Sequence, residues 1–142
     1  MDSQPDAAHG WVAFSPALHI GVPTVDRQHG ALIAELNRLI ADTQAVPTSE
    51  LFAEVLSRLG RDLSEHFRCE ERLFCSLGMP DRMVDAHMAA HGEILSQYVE
   101  LNLDLMSHLR HRSRTEVLAM VRRWVMDHIV VHDLHIRDYL PS

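Results

Sequence analysis

Hydrophobic residues recur every three or four positions along most of this chain, which is the spacing of amphipathic helices. The clearest stretch runs from residue 52 to residue 77, where the inward-facing positions alternate in steps of four and three. These positions are Phe52, Leu56, Leu59, Leu63, His66, Glu70, Leu73 and Leu77. Two members of the stripe are polar. Because residues four apart lie on one face of a helix, His66 and Glu70 are predicted to project side by side toward a core.

Three other stretches have the same periodicity. The first helix is predicted to start at a capping Thr24 and to run to about Asp42, and the second to start at Thr48 or Ser49 and to end at Leu77. Gly78 is predicted to cap that end, and Asp81 to cap the start of the third helix. The third helix extends to the basic turn at residues 110–115, and the fourth covers about 115–139.

Four helices joined by short turns predict an all-α fold, an up-down-up-down antiparallel four-helix bundle with an N-terminal arm. The low content of glycine and proline, 6 of each in 142 residues, agrees with this class and with a single domain. Residues 1–23 are predicted to form the arm, because proline and glycine interrupt them, and residues 24–142 to form the bundle. The apolar residues of the arm are expected to lie across the bundle; they are Trp11, Phe14, Leu18 and Ile20.

The charge and hydropathy of the chain exclude several classes of partner. A net charge of −7 and a pI near 5.8 argue against binding to nucleic acid or to acidic membranes. No stretch approaches the roughly 20 apolar residues that a membrane span needs, and the first ten residues do not resemble a signal peptide. We therefore expect a cytoplasmic protein with no membrane and no nucleic-acid partner.

The distribution of the 11 histidines is unusual, because several occupy positions where the helical pattern calls for an apolar residue. His29 lies early in the first helix and His66 late in the second. His87 and His91 form an i, i+4 pair early in the third helix, and His128 lies in the second half of the fourth. In an antiparallel bundle all of these positions reach the same end. His29 or His128 alone would more often be a hydrogen-bonded core residue, and a pair such as His66 and Glu70 also occurs as an exposed salt bridge on a helix. The convergence of all these residues favours a metal site.

The types of donor indicate which metal. Five imidazoles with the carboxylates of Glu70 and Asp133 are too many for one zinc ion, which is normally held by four ligands. They are too rich in nitrogen for calcium or magnesium. Two iron ions bridged by carboxylates fit best, although manganese accepts the same donors and stays an alternative.

Four segments, taken in order, resemble the signature segments of the hemerythrin family, and specifically its bacteriohemerythrin domains, which are bacterial. They are IGVPTVDRQHGALIAELNRL, HFRCEERLF, HMAAH and WVMDHIVVHD. The resemblance covers roughly residues 11–140. It implies a bundle that holds two non-haem iron ions with an oxo or hydroxo bridge and binds dioxygen reversibly as a ligand of the iron.

Carried over by motif, the resemblance assigns the ligands to two iron ions. One iron would be held by His87, His91 and His128, and the other, on the oxygen-binding side, by His29 and His66. Glu70 and Asp133 would bridge the two. Asp133 stands five residues after His128, so in an ideal helix its side chain points about 140° away from that of His128. Either the helix widens into a π-bulge, or His132 at i+4 is the ligand. The resemblance favours Asp133.

The apolar residues that flank these ligands are expected to form a pocket that excludes water from bound oxygen. Packing in the core alone would also explain why these residues are apolar. They are Phe67, Trp124, Val125 and Ile129. Glu65, Glu71 and Arg72 are expected to face solvent. Val125 stands where the family commonly has a larger aliphatic residue, which could change access to the oxygen pocket.

The resemblance implies an oxygen-binding protein for storage, delivery or sensing and not an enzyme. It would be a monomer or a weak homo-oligomer, with a protein partner if it acts as a sensor. The alternative is a di-iron oxidase or peroxidase that acts on peroxide, nitric oxide or iron. A third alternative, a purely structural bundle, would purify without iron and would lose little stability when His66 is replaced.

Overall fold

A computed structural model of the chain describes residues 12–41, 50–107 and 112–141 and shows an all-α four-helix bundle, as predicted. Helices α1, α2 and α3 span Pro23–Ala41, Glu50–Leu77 and Asp81–Ser107. Helix α4 is built from three consecutive stretches, the α-helix Arg114–Arg122, the π-helix Arg123–Asp127 and the α-helix His128–Val131. Short 3₁₀ helices at Pro16–Leu18 and Asp133–Tyr139 flank the bundle. Within the described ranges, no helix is long and apolar enough to cross a membrane.

The ends of the helices follow their local sequence except at two predicted caps, Thr24 and Asp81. Thr24 lies inside α1, which begins at Pro23, because the carbonyl of Val22 accepts a hydrogen bond from the amide of Asp26. Gly78 has a φ of +65°, the left-handed conformation that ends α2 as predicted. Asp81, predicted as the cap of α3, is instead its first helical residue, because the carbonyl of Pro80 accepts the amide hydrogen bonds of Met83 and Val84. Ser113 caps α4 by accepting a hydrogen bond from the amide of Glu116. The predicted end of α1 at Asp42 and start of α2 at Thr48 or Ser49 lie outside the described residues.

Buried apolar side chains form two clusters. The larger one runs along the bundle and is centred on large, fully buried residues such as Phe52, Leu59 and Phe67. The smaller one includes Ile20 and Phe74. Phe67 of the larger cluster and Phe74 of the smaller one both stack near the ring of His91, so His91 lies where the two apolar clusters meet.

The described part of the N-terminal arm packs against the bundle. Ile20 is buried in the smaller cluster, and Phe14 and Leu18 pack against the larger one. Val12 is also buried, and its amide and carbonyl form hydrogen bonds of 2.9 and 2.6 Å with the side chain of Asn37 in α1. The predicted contact of Trp11 lies outside the described residues.

A pair of carboxyl groups between α1 and α2 predicts a dependence of stability on pH. Burial, the hydrogen bond to Asp62 and the charge of Asp62 raise the pKa of Glu35 to about 8, against the smaller opposite effects of Arg58 and Arg61. The folded state therefore holds a proton that the unfolded state has lost between about pH 4.5 and 8, so the free energy of unfolding falls as pH rises through this window.

We expect Glu35→Gln to remove this fall and to be more stable than the wild type at pH 8 by about 1–2 kcal/mol, a value reduced for solvent screening because Glu35 is only half-buried. Chemical denaturation of both proteins at pH 5 and pH 8 measures the difference. The matched control is Glu100→Gln, which changes an exposed residue of α3. Equal pH slopes for the wild type and Glu35→Gln would contradict the prediction.

Candidate metal centre

Every helix of the bundle contributes a polar side chain to one buried cluster. The contributing residues are His29 from α1, His66 and Glu70 from α2, His87 and His91 from α3, His128 from α4, and Asp133 from the first position of the following 3₁₀ helix. Each of these residues is at most 4% exposed. The structure thus places together all seven residues that the sequence suggested as ligands. Their binding of metal stays a prediction at this point.

The donor atoms of the cluster form two sets, and within each set they lie within 4.8 Å of one another. The first set contains Glu70, His87, His91 and His128, and the second contains His29, His66 and Asp133. The histidines are grouped in the same way as the resemblance implied. The two sets are the candidate positions of two metal ions.

Asp133 lies between the two sets and directs one carboxylate oxygen to each. Its Oδ1 atom lies 2.7 Å from Nε2 of His87 and 3.1 Å from Nε2 of His128. Its Oδ2 atom lies 2.8 Å from Nε2 of His29 and 3.1 Å from Nε2 of His66. A carboxylate with one oxygen on each side is arranged as a bridging ligand.

Glu70 also reaches both sets. Its Oε1 atom lies 3.1 Å from Nε2 of His66 and 3.2 Å from Nε2 of His91. Its Oε2 atom is buried, has no hydrogen-bond partner, and lies 3.6 Å from Nε2 of His87. A buried carboxylate oxygen without a partner is costly, and a cation would satisfy it.

The backbone after His128 explains why Asp133, and not His132, enters the cluster. The α-helix ends at Val131, His132 adopts φ −114° and ψ −59°, and a tighter 3₁₀ helix starts at Asp133. The π-helical widening does occur, but it precedes His128, at Arg123–Asp127, instead of lying between His128 and Asp133. His132 is half-buried beside the cluster, with its ring centroid 5.2 Å from those of His87 and His128.

In His66 and His91 the outer ring nitrogen, Nδ1, points away from the cluster and forms a hydrogen bond. These hydrogen bonds indicate that the inner nitrogen, Nε2, has a free lone pair. Nδ1 of His66 lies 2.8 Å from Oε1 of Gln28, and Nδ1 of His91 lies 3.0 Å from Oε2 of Glu71. Both partners are acceptors, so each Nδ1 carries the hydrogen. In a neutral imidazole the Nε2 atom then carries a lone pair, and in both rings this atom points into the cluster.

That arrangement fits a metal ion. The Nε2 lone pairs of His66 and His91 would face Oε1 of Glu70 at 3.1 and 3.2 Å, and two acceptors cannot form a hydrogen bond with each other. Either extra protons or metal cations must lie between them. Two buried carboxylates and inward lone pairs on imidazoles are the donors that transition metals such as iron, manganese and zinc accept.

Without a metal, the cluster would hold protons instead. Burial alone lowers the pKa of His66 and His87, but hydrogen bonds and charges from Asp133 and Glu70 outweigh it and raise these pKa values to about 10 and about 9. Burial tends to raise the pKa of Asp133, but hydrogen bonds from imidazoles such as His128 hold it well below its usual range. Metal binding must therefore displace protons from the histidines.

The four residues predicted as an oxygen pocket are all buried in the larger apolar cluster. Phe67 stacks on the ring of His91, with centroids 4.0 Å apart and planes 12° apart. The indole nitrogen of Trp124 donates a 2.8 Å hydrogen bond to Gln97. Val125 and Ile129 are 1% exposed. The contact of Phe67 with a histidine of the cluster is thus observed, whereas an oxygen pocket formed by the four residues stays a prediction.

Sequence reasoning missed the partners of the outer nitrogens. Glu71 was expected to face solvent with Glu65 and Arg72; those two are exposed, but Glu71 is 34% exposed and binds His91. The sequence analysis assigns no role to Gln28. The available signals were weak ones: Gln28 directly precedes His29, and Glu71 directly follows Glu70.

Comparison with known proteins agrees with this geometry. Residues 20–138 match the family described as the hemerythrin HHE cation binding domain, and this range includes every residue of the cluster. A bacteriohemerythrin from Stenotrophomonas maltophilia (strain R551-3) is 30% identical to the chain over 128 residues, which is 88% of this chain and 78% of that relative. No solved structure matches significantly. The chain therefore belongs to the hemerythrin family.

Proposed function

We propose that this chain holds two iron ions in the buried cluster and binds dioxygen reversibly there. The observation that carries the proposal is the position of Asp133, which directs one oxygen to His87 and His128 and the other to His29 and His66. A site for one metal ion would not need a carboxylate shared between two sets of imidazoles. Membership of a cation-binding family supports the presence of metal.

The side chains divide the work of holding the metals. The first set would hold one ion with three imidazoles, the second would hold the other with two, and Glu70 and Asp133 would hold both. Iron would supply what no side chain here provides, namely reversible electron transfer to dioxygen. Manganese, which accepts the same donors, is distinguished by metal analysis.

The two sets differ in the number of protein donors, and this supports a place for an exogenous ligand. Because Glu70 and Asp133 would be shared, the position of His87, His91 and His128 has three imidazoles, whereas the position of His29 and His66 has two. A metal position with fewer protein ligands keeps room for a small molecule, as in metal sites that bind substrate. We therefore assign the oxygen position to the side of His29 and His66.

The apolar side chains around the cluster would protect the bound ligand. Phe67, Trp124, Val125 and Ile129 are each 2% exposed or less and belong to the larger apolar cluster. Phe67 also has ring contacts with His66, His91 and His128. Excluding water limits the entry of protons and of nucleophiles, and both favour irreversible oxidation of the iron. In this proposal the residues act by keeping the site dry.

One observation favours the alternative function, a di-iron oxidase or peroxidase. A surface cleft of about 290 Å³ lies between α3 and α4 and is lined by residues that include Trp124 and His128. A small substrate such as peroxide or nitric oxide could approach the first metal position through it. Turnover of these compounds by the iron-loaded protein would support the alternative over storage, delivery or sensing.

The remaining parts of the proposal concern the setting of the protein. We place it in the cytoplasm, as a monomer or a weak homo-oligomer, with dioxygen as its ligand. A sensing role would require a protein partner. None of these assignments alters the chemistry of the cluster.

Metal analysis combined with absorption spectroscopy tests the proposed function. The purified protein, loaded with iron(II) without oxygen, is expected to contain two irons per chain. Admission of oxygen should produce a new visible absorption band, and removal of oxygen should abolish it. Rapid and irreversible oxidation with no reversible band would refute oxygen binding, and a protein that takes up no iron would refute the metal site itself.

A further inference from the structure

The outer nitrogens of the site histidines have unequal partners. Nδ1 of His91 donates to the carboxylate of Glu71 at 3.0 Å, whereas Nδ1 of His66 donates to the neutral amide oxygen of Gln28 at 2.8 Å. Among the described residues, the buried Nδ1 atoms of His29 and His128 have no hydrogen-bond partner. Only one of these four rings therefore contacts a negative charge on its outer side.

We propose that Glu71 is a positioning residue that makes the metal position of His87, His91 and His128 the more easily oxidised of the two. The inference rests on the proposed function, because it requires metal in the cluster. It concerns how readily the metal at each of the two positions is oxidised, which the proposed function does not specify.

The chemistry of the contact supports this role. A carboxylate that accepts a hydrogen bond from Nδ1 draws that hydrogen toward itself and increases electron density on the opposite nitrogen, which binds the metal. The neutral amide of Gln28 has a weaker effect, because hydrogen bonds to ionised groups are roughly twice as strong as neutral ones. A more electron-rich ligand stabilises the higher oxidation state of the metal.

The surroundings of His91 show that its ring is held in one orientation. Phe67 stacks on it at 4.0 Å, and Phe74 lies with its centroid 6.3 Å away and its plane 21° from that of His91. The side chain of Glu71 holds the edge of the same ring from the surface, and it remains 34% exposed. Glu71 directly follows Glu70 in α2, and the two carboxylates contact opposite nitrogens of His91.

The test is the reduction potential of the iron-loaded protein, with Glu71→Gln as the variant. Glutamine keeps the length and an acceptor oxygen but removes the charge. We expect two irons still to bind and the higher oxidation state to be disfavoured by roughly tenfold, which raises the potential by about 59 mV for one electron. The probe is iron(II) added without oxygen, followed by a redox titration.

The matched control is Asp85→Asn, because Asp85 is an exposed carboxylate that lines the same surface hollow as Glu71. It removes one charge near the site without a contact to a ligand in the described structure. We expect its shift in potential to be clearly smaller. Equal shifts in the two variants, or no shift in Glu71→Gln, would overturn the assignment of Glu71 and leave the proposed function intact.

A second variant tests the sign of the effect. Gln28→Glu places a carboxylate on the outer nitrogen of His66, so the potential is expected to fall instead of rising. Circular dichroism of each variant establishes that the bundle is folded before the titration. A rise in potential in Gln28→Glu would contradict the inference, and a wild-type protein that binds no iron would refute the proposed function and the inference together.

Discussion

Replacing Asp133 by asparagine is expected to weaken metal binding by at least roughly a hundredfold, which exceeds the effect usual for residues that only support a ligand. Asparagine keeps the shape of the side chain but loses the negative charge and one acceptor oxygen. In the wild type the two oxygens contact Nε2 atoms of four histidines at 2.7 to 3.1 Å. The variant therefore lacks a donor for both metal positions at once.

The same substitution has a second expected effect on the metal-free protein. The hydrogen bond to Asp133 is the largest of the interactions that raise the pKa of His66 to about 10 and of His87 to about 9. In Asp133→Asn these pKa values should fall toward the ordinary histidine range. Nuclear magnetic resonance titration of the histidine rings measures this shift, and isothermal titration with iron(II) or another divalent transition metal measures the binding.

Two control variants separate a ligand from a neighbour. Asp138→Asn changes an exposed residue of the same 3₁₀ helix, and His132→Ala changes the alternative ligand. We expect both to bind two metal ions with nearly unchanged affinity. If His132→Ala loses metal while Asp133→Asn keeps it, the assignment of Asp133 is wrong and His132 is the ligand.

Replacing Gly60 by alanine is expected to destabilise the bundle by about 1–3 kcal/mol, the usual cost of overpacking. Gly60 is buried in α2, where a methyl group would overlap Cζ and Oη of Tyr98 in α3. The ring of Tyr98 is fixed by a 2.9 Å hydrogen bond from its hydroxyl to the carbonyl of Leu56 and by an edge contact to Trp124 at 6.0 Å. Moving the ring would break both interactions.

Gly92 provides the matched control for this prediction. It lies in the middle of α3 and is exposed, and a methyl group added to it would meet no atom of another described segment within 4 Å. Gly92→Ala should therefore stabilise the protein by about 0.5–1 kcal/mol, because alanine restricts the unfolded chain and favours the helix. Chemical denaturation of both metal-free variants measures the two effects, and the same sign for both would contradict the close packing of α2 on α3 at Gly60.

The helices and their inward faces could be predicted because both depend on local periodicity. The positions of His66 and Glu70 in α2, and of His87 and His91 in α3, follow from a spacing of four residues in a helix. The convergence of His29 and His128 with them follows from the alternating direction of the helices. The helix ends are predicted less accurately. At Asp81, for example, the carbonyl of Pro80 takes the place of the predicted side-chain cap.

The π-helical stretch shows where local reasoning stops. Ideal geometry indicated that a helix extended beyond His128 must change its winding for Asp133 to reach the site. It could not indicate that the widening lies at Arg123–Asp127 and that the chain tightens at Asp133. That choice depends on which side chains of α4 pack against the other helices, and the sequence of one helix does not contain this information.

The sequence alone determined the four amphipathic helices, the polar residues on their inner faces and the family to which the chain belongs, because these are properties of spacing and of local motif. Only the tertiary structure decided that Asp133 stands between the two sets of histidines while His132 stays beside them, because the backbone of His132 turns the chain there. It also decided that Gln28 and Glu71 contact the outer nitrogens of His66 and His91. Such contacts join different helices, so they arise from packing in three dimensions and leave no periodic signal in the sequence.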